Sequence, residues 1–259
     1  MLNFAHRGFS GKYPENTRLA FTKAIETEGC DGIETDVQLS ADGVPVIIHD
    51  ETLDRTAVNM TGAVKDYTLE ELRKADLSYT YAGKCEPQQM MTLREFLELV
   101  KPSDLAINLE LKTGVYEYEG IEQKVIDLLK EFDMVSRTVI SSFNHFTLKR
   151  VKAICPEIRC GCLIHAWLLD PAGYVKANGF ECWHPEFHCC TPENVKALAA
   201  QHVEVNCWTV NSLVDIRKMF QAGVTSIIGN YPDLVSQVRD ELEEDGEWPL
   251  GWSVCGFGD

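Results

Sequence analysis

No apolar run in the 259-residue chain is long enough to span a bilayer, which excludes an integral helical membrane protein. Positive charge is also scarce. Twenty-four Lys and Arg face 40 Asp and Glu, for a formal charge of −16. That balance argues against nucleic acid as a partner, because a polyanion is held by a basic surface that releases its counterions. An anionic membrane is disfavoured for the same reason. An acidic protein that binds an anionic substrate needs local neutralisation, by a metal or a few cationic side chains. Met1–Gly8 shows no charged leader followed by an apolar stretch, so no secretory signal is visible. The ten cysteines include no C-x-x-C and are too sparse for a disulfide scaffold, which disfavours a zinc ribbon or a thioredoxin-type redox site. The expected compartment is the cytoplasm, with reduced thiols.

What is present is an ordinary globular composition, 45% hydrophobic and 25% charged. Short apolar runs alternate with amphipathic helical stretches from end to end. The strand candidates are Leu2–His6, Gly32–Val37, Val44–His49, Leu105–Leu111, Thr138–Ser142, Arg159–Ile164, Phe180–His184, Val203–Val210 and Ser226–Gly229. Most are almost continuously apolar, as parallel strands buried on both faces must be. Helix signals separate them. Thr17 can cap a helix that Gly29 is placed to end. Asp170–Pro171 and Thr191–Pro192 set a cap before proline, and Ser212-x-x-Asp215 with Gly223 brackets another helix. This βα alternation predicts an α/β fold, a TIM (β/α)8 barrel filling residues 1–259 as a single domain.

One connection is too long. Fifty-five residues, Asp50 to Asp104, stand where a crossover needs roughly 30. Thr92-x-x-Glu95 caps the expected barrel helix, so 51–91 is predicted to be a small insertion after the second strand unit, lying over the C-terminal face of the barrel. Thr68-x-x-Glu71 marks a short helix within it. The last stretch, Arg239–Asp259, carries seven acids and one base and is expected to be a helix end with a solvated tail.

Side chains two apart on a strand share a face, so Glu34 and Asp36 point the same way. Two adjacent inward carboxylates repel and lose hydration unless a cation or a proton resolves the conflict. Glu110 and Lys112 share a face in the same manner. Three carboxylates at two strand ends form a hard oxygen set suited to Mg2+ or Ca2+. His6 and His49 each end a predicted barrel strand beside those acids, at the face where such barrels carry their chemistry. His184 is expected near the rim; His145, His165, His188 and His202 are assigned to surface or packing. Trp208 is either core or a pocket wall against a polyol.

Taken in order, Ala5-His-Arg-Gly8, Pro14-Glu-Asn-Thr17, Gly32-Ile-Glu-Thr-Asp-Val37, Asp42-Gly43 and Val46-Ile-Ile-His-Asp50 resemble the glycerophosphodiester phosphodiesterase family. Leu53-Asp-Arg-Thr56, Glu110-Leu-Lys112, Trp208-Thr-Val-Asn211 and Asn230-Tyr-Pro-Asp233 continue the match over about residues 3–240. The resemblance implies a TIM barrel with a small insertion. It implies one divalent cation on Glu34, Asp36 and Glu110, catalytic histidines at His6 and His49, and Arg7 and Lys112 holding the phosphodiester. Gly229 stands where the family often has threonine, which puts no catalytic residue in doubt.

The expected reaction is hydrolysis of a small glycerophosphodiester to glycerol 3-phosphate and an alcohol. A deacylated substrate is preferred because the sequence shows no obvious apolar membrane-docking patch. Two further readings stay open at this point: a lysophospholipase D-type phosphodiesterase, and a non-catalytic barrel that binds glycerophosphodiesters.

Overall fold

In the computed structural model, which describes residues 1–244, the strands are β1 (Leu2–His6), β2 (Gly32–Leu39), β3 (Pro45–Ile47), β4 (Ala106–Leu111), β5 (Thr138–Ser142), β6 (Arg159–Ile164), β7 (Cys182–Pro185), β8 (Glu204–Cys207) and β9 (Ser226–Gly229). Eight are staves of a closed parallel barrel, in the order β1-β9-β8-β7-β6-β5-β4-β2 with β2 paired back to β1. Every residue of β2 is buried, although four of the eight, Glu34, Thr35, Asp36 and Gln38, are polar or charged. Alternate side chains, such as Ile33 and Val37, meet the surrounding helices; the others fill the interior.

The helices are α1 (Arg18–Ile25), α2 (Leu69–Leu72), α3 (Leu93–Val100), α4 (Ile121–Glu131), α5 (His145–Ile154), α6 (Pro171–Ala177), α7 (Pro192–Ala199), α8 (Leu213–Ala222) and α9 (Pro232–Glu244). Full capping boxes form at Thr68/Glu71, Thr92/Glu95 and Thr191/Asn194, and Thr17, Asp170 and Ser212 each accept from a first-turn N–H. Gly29 is a correction. Helix α1 stops at Ile25, and the glycine serves a close approach instead: a Cβ there would strike Ser236 and Arg239 of α9. The tail expectation falls partly on residues 245–259, outside those described. Among the described residues no helix is long and apolar enough to cross a membrane.

The third strand candidate needs a larger correction. Strand β3 is not a stave. It pairs antiparallel with β2, Val37 opposite Ile47 and Leu39 opposite Pro45, so the chain runs above the barrel and doubles back. A short continuous apolar run alone cannot distinguish a returning hairpin arm from a parallel strand. His49 therefore reaches the mouth from outside. Gln38, buried on β2, pins that arm by donating to the carbonyls of Ile48, His49 and Asp50 at 3.0, 3.0 and 2.8 Å.

Residues 51–91 hold a small core of their own, in which Leu53, Val64, Leu72, Leu77 and Met90 pack against Val46 and Ile48 of the hairpin arm. The segment and the arm thus form one unit. Two of its side chains, Arg55 and Tyr79, reach across to Glu15 in the loop after β1.

Candidate active site

Register builds the site. Pairing sets His6 beside Glu34 on β1 and β2, and Asp36 beside Glu110 on β2 and β4. Carboxylate oxygens of Glu34, Asp36 and Glu110 come within 4.8 Å of one another. Glu34 and Asp36 are buried, while the Glu110 side chain keeps 12% of its exposure. Burial and the charges of Asp36 and Glu110 push the Glu34 carboxyl well above the usual carboxylate range. Asp36 goes the other way. Burial works against its ionisation, but Arg7, His49 and Lys112 outweigh that and hold it at about 2.

The cations are threaded among these acids. Arg7, at φ 55° in the left-handed region, turns its backbone N–H onto Glu34 Oε2 at 3.0 Å. Its guanidinium donates to Glu15 at 2.8 Å and lies 3.6 Å from Asp36. Asn16, also left-handed at φ 56°, donates to Asp36 Oδ2 at 2.9 Å. Lys112 donates to Glu110 at 3.0 Å. Two buried acceptors in this ring have no partner, Asp36 Oδ1 and Asn108 Oδ1. Unpartnered oxygens in an over-charged carboxylate cluster are what a hard divalent cation satisfies, so these residues fit such an ion.

The two imidazoles are held differently. His6 Nδ1–H donates to the Asn230 amide oxygen at 2.6 Å, leaving Nε2 facing the acids, 3.8 Å from Glu34. Burial and the Arg7 guanidinium push its pKa down to about 3, so the ring is neutral. His49 Nδ1–H donates to the Asp50 carboxylate at 2.6 Å. Both tautomers follow from the acceptor each ring faces. Asp50 is gripped in turn by Arg55, whose other donors take Glu15. The result is one chain of contacts, His49–Asp50–Arg55–Glu15–Arg7.

His6, Arg7, Glu34, His49, Glu110 and Trp208 line a cleft of about 90 Å³ at the barrel mouth, with Phe143 and Thr209 on the far wall. A larger groove of about 800 Å³ on the barrel's flank, walled by Arg94, Lys124 and Glu98, contains no histidine. The carboxylates and both histidines gather at the smaller one. Trp208 is a pocket wall: its indole N–H donates to the His184 carbonyl at 2.8 Å and its ring meets Phe143 edge-on at 5.5 Å.

His184 corrects the expectation of a rim residue. It is 1% exposed, points into the barrel interior and accepts from the Asn206 amide at 3.0 Å, because Gly161 opposite has no Cβ to occupy that space. Gly229 has a similar reason: the Val210 carbonyl lies where a Cβ would go. Phe143, Trp167 and Leu169 in the loops after β5 and β6, and Phe146 in the first turn of α5, are exposed.

Sequence reasoning assigned no role to Asn230, Asp50, Arg55, Glu15, Asn16 or Gln38. All but Gln38 lie within the matched motifs, so the motif extents were the available signal. Gln38 follows Glu34 and Asp36 at the same two-residue spacing.

Guanidinium and ammonium groups set among carboxylates suit an anion, and two imidazoles with contrasting partners suit proton transfer on either side of it. A barrel hydrolase of anionic esters is the class so defined. The glycerophosphoryl diester phosphodiesterase family model matches residues 6–234. A glycerophosphodiester phosphodiesterase of Caldanaerobacter subterraneus subsp. tengcongensis is 41% identical over 239 residues, 92% of this chain and 98% of the relative. One of Bacillus altitudinis is 41% identical over 243 residues, 93% and 98% respectively. Among solved structures, an Oleispira antarctica phosphodiesterase in complex with the product sn-glycerol-3-phosphate superposes with a TM-score of 0.85 at 28% identity, over 93% of this chain and 97% of that one. The chain belongs to the glycerophosphoryl diester phosphodiesterase family and is a hydrolase of phosphodiesters.

Proposed function

We propose that this chain hydrolyses glycerophosphodiesters, such as glycerophosphocholine or glycerophosphoethanolamine, to glycerol 3-phosphate and an alcohol, with one Mg2+ or Ca2+ held by Glu34, Asp36 and Glu110. The observation that carries the proposal is the carboxylate triad meeting a neutral histidine and a carboxylate-backed one at the mouth of one barrel. The product bound to the Oleispira relative supports glycerol phosphate as the common half of the substrate.

Bound at the triad, a divalent cation supplies Lewis-acid neutralisation of the phosphate's charge. Arg7 and Lys112 add fixed positive charge, which compensates locally for the acidity of the whole protein. His6, neutral and with Nε2 free, takes the proton of the nucleophile. His49, whose Nδ1–H is held by Asp50, gives a proton to the departing alkoxide. The two rings are thus oriented by different partners for opposite proton transfers. The segment 51–91 covers the charged side of the mouth through Arg55 and Tyr79, and Trp208 borders the glycerol.

The test is release of glycerol 3-phosphate from glycerophosphocholine, with chelator and with metal restored. Activity should vanish in excess EDTA and return with Mg2+ or Ca2+. Glu110→Gln should require more metal for half-activation, by roughly 10-fold or more. Full activity in EDTA would overturn the cation's role.

A further inference from the structure

The backbone around Lys112 is gripped from outside the cleft. Its own N–H donates to the Val37 carbonyl at 3.1 Å. The carbonyls of the residues before and after it are both held by side chains at the end of β5 and in the turn that follows. Ser142 donates to the Leu111 carbonyl at 2.8 Å, and Asn144, the N-cap of α5, donates to the Thr113 carbonyl at 3.1 Å. The same turn carries Phe143, on the far wall of the cleft.

Behind Ser142 runs a line of buried hydroxyls. Its Oγ lies 3.4 Å from Thr113 Oγ1, which lies 2.7 Å from Thr147 Oγ1 on α5. Further along α5, the Arg150 guanidinium donates to Thr147 at 3.0 Å and to the buried Glu122 of α4 at 2.7 Å. Counting hydrogens fixes the direction, because each hydroxyl has one to give. Ser142 gives its hydrogen to Leu111, so Thr113 must give its own to Ser142, and Thr147 to Thr113. Thr147 is then left to accept from Arg150, which can only donate. The line is a one-way relay, from a guanidinium fixed on a buried carboxylate to the carbonyl next to Lys112. Hydrogen bonds that point the same way polarise one another, and a fully satisfied buried network admits one arrangement of its members.

Holding α4 against α5 does not require this relay. Apolar groups of the same shape in place of paired hydroxyls can leave stability nearly unchanged. What the relay alone supplies is a fixed backbone on both sides of Lys112. We infer that Thr113 and Thr147 are positioning residues, which with Arg150 set the place from which the Lys112 ammonium meets the phosphodiester. The inference rests on the phosphodiesterase reading of the site and names the residues through which one of its anion-holding side chains acts.

The experiment uses the full chain with saturating Mg2+ or Ca2+. Thr113→Val/Thr147→Val keeps the volume of both side chains and removes the middle of the relay, while Ser142 retains its acceptor at Leu111 and its donor at the Asn144 N–H. Affinity for glycerol 3-phosphate, by calorimetry, is measured beside kcat/KM on glycerophosphocholine and the thermal midpoint. The valine pair should lose roughly 10-fold in both affinity and kcat/KM, the size of effect seen when the partner of an active-site group is removed, with its thermal midpoint little changed. Thr113→Ser/Thr147→Ser, which restores the hydroxyls, should recover both. In a Lys112→Ala background the valine pair should cost little more, since changes that act through one side chain are not additive. If the valine pair does not fold, Thr147→Val alone, which cuts the relay at one link, is measured in the same way. A valine variant equal to wild type overturns the inference, as does a loss that serine does not recover or that persists undiminished without Lys112. Wild-type protein that neither binds glycerol 3-phosphate nor turns over glycerophosphocholine removes the phosphodiesterase reading, and this inference with it.

Discussion

His6 and His49 hand their Nδ1–H to different acceptors. The Nδ1–H of His6 meets a neutral amide oxygen, and that of His49 meets a carboxylate. The amide fixes the tautomer and by itself raises the His6 pKa, but burial and the Arg7 charge outweigh it, so His6 stays a neutral acceptor. The predicted consequence separates the two by leaving group. An alkoxide needs a proton, so His49→Ala should slow a choline ester by roughly 10²–10⁴-fold. A p-nitrophenolate leaves without one, so the same variant should be largely rescued on the p-nitrophenyl ester of glycerol phosphate. His6→Ala should stay slow on both. Rescue of His6→Ala instead would reverse the assignment, and rescue of neither would end the paired scheme.

The hairpin that carries His49 and the segment 51–91 share one small core, which alters what the segment can be asked to do. Deleting it would expose Val46 and Ile48 and free the arm that positions His49, so deletion would confound substrate choice with loss of that ring's placement. Arg55 offers a cleaner test. Its guanidinium holds Asp50 with Nε and Glu15 through two further donors, a geometry that lysine's single ammonium cannot reproduce. Arg55→Lys should therefore lower kcat on the choline ester by roughly 10-fold to 100-fold with little change in KM, the size of effect expected when a partner of an active-site ligand is lost. The loss should shrink on the p-nitrophenyl ester if Arg55 acts through His49. An equal loss on both esters would place its effect elsewhere.

The barrel interior carries a further histidine that has no part in the cleft. His184 is buried between β6 and β8, and burial followed by the Arg159 charge lowers its pKa from 6.5 to about 3. The sign follows from proton counting. Between those values the unfolded chain binds a proton that the folded one refuses, so stability is highest above about 6.5 and falls as the pH drops. One such proton is worth about 1.4 kcal/mol per pH unit, or about 2 kcal/mol between pH 7 and pH 5. Urea midpoints at those two pH values should differ more for wild type than for His184→Gln. Equal shifts in both proteins would show that the buried ring is not the origin.

Periodicity and motif order made the barrel, the carboxylate triad and both histidines legible, because strand alternation fixes which side chains share a face before any tertiary contact exists. Glu34 and Asp36 had to point together whatever packed around them. Three things lay beyond that reach. Whether Pro45–Ile47 ran parallel or returned depended on which strand it paired with, a long-range choice that local pattern does not encode. Whether His184 met solvent or the barrel interior depended on Gly161, which becomes its neighbour only when β6 and β7 pair. And an aromatic such as Phe146 at the start of α5, or Trp167 in the loop after β6, is core or surface according to what the fold lays over it. Here the fold lays nothing over either, and both are exposed, an outcome that only the closed barrel decides.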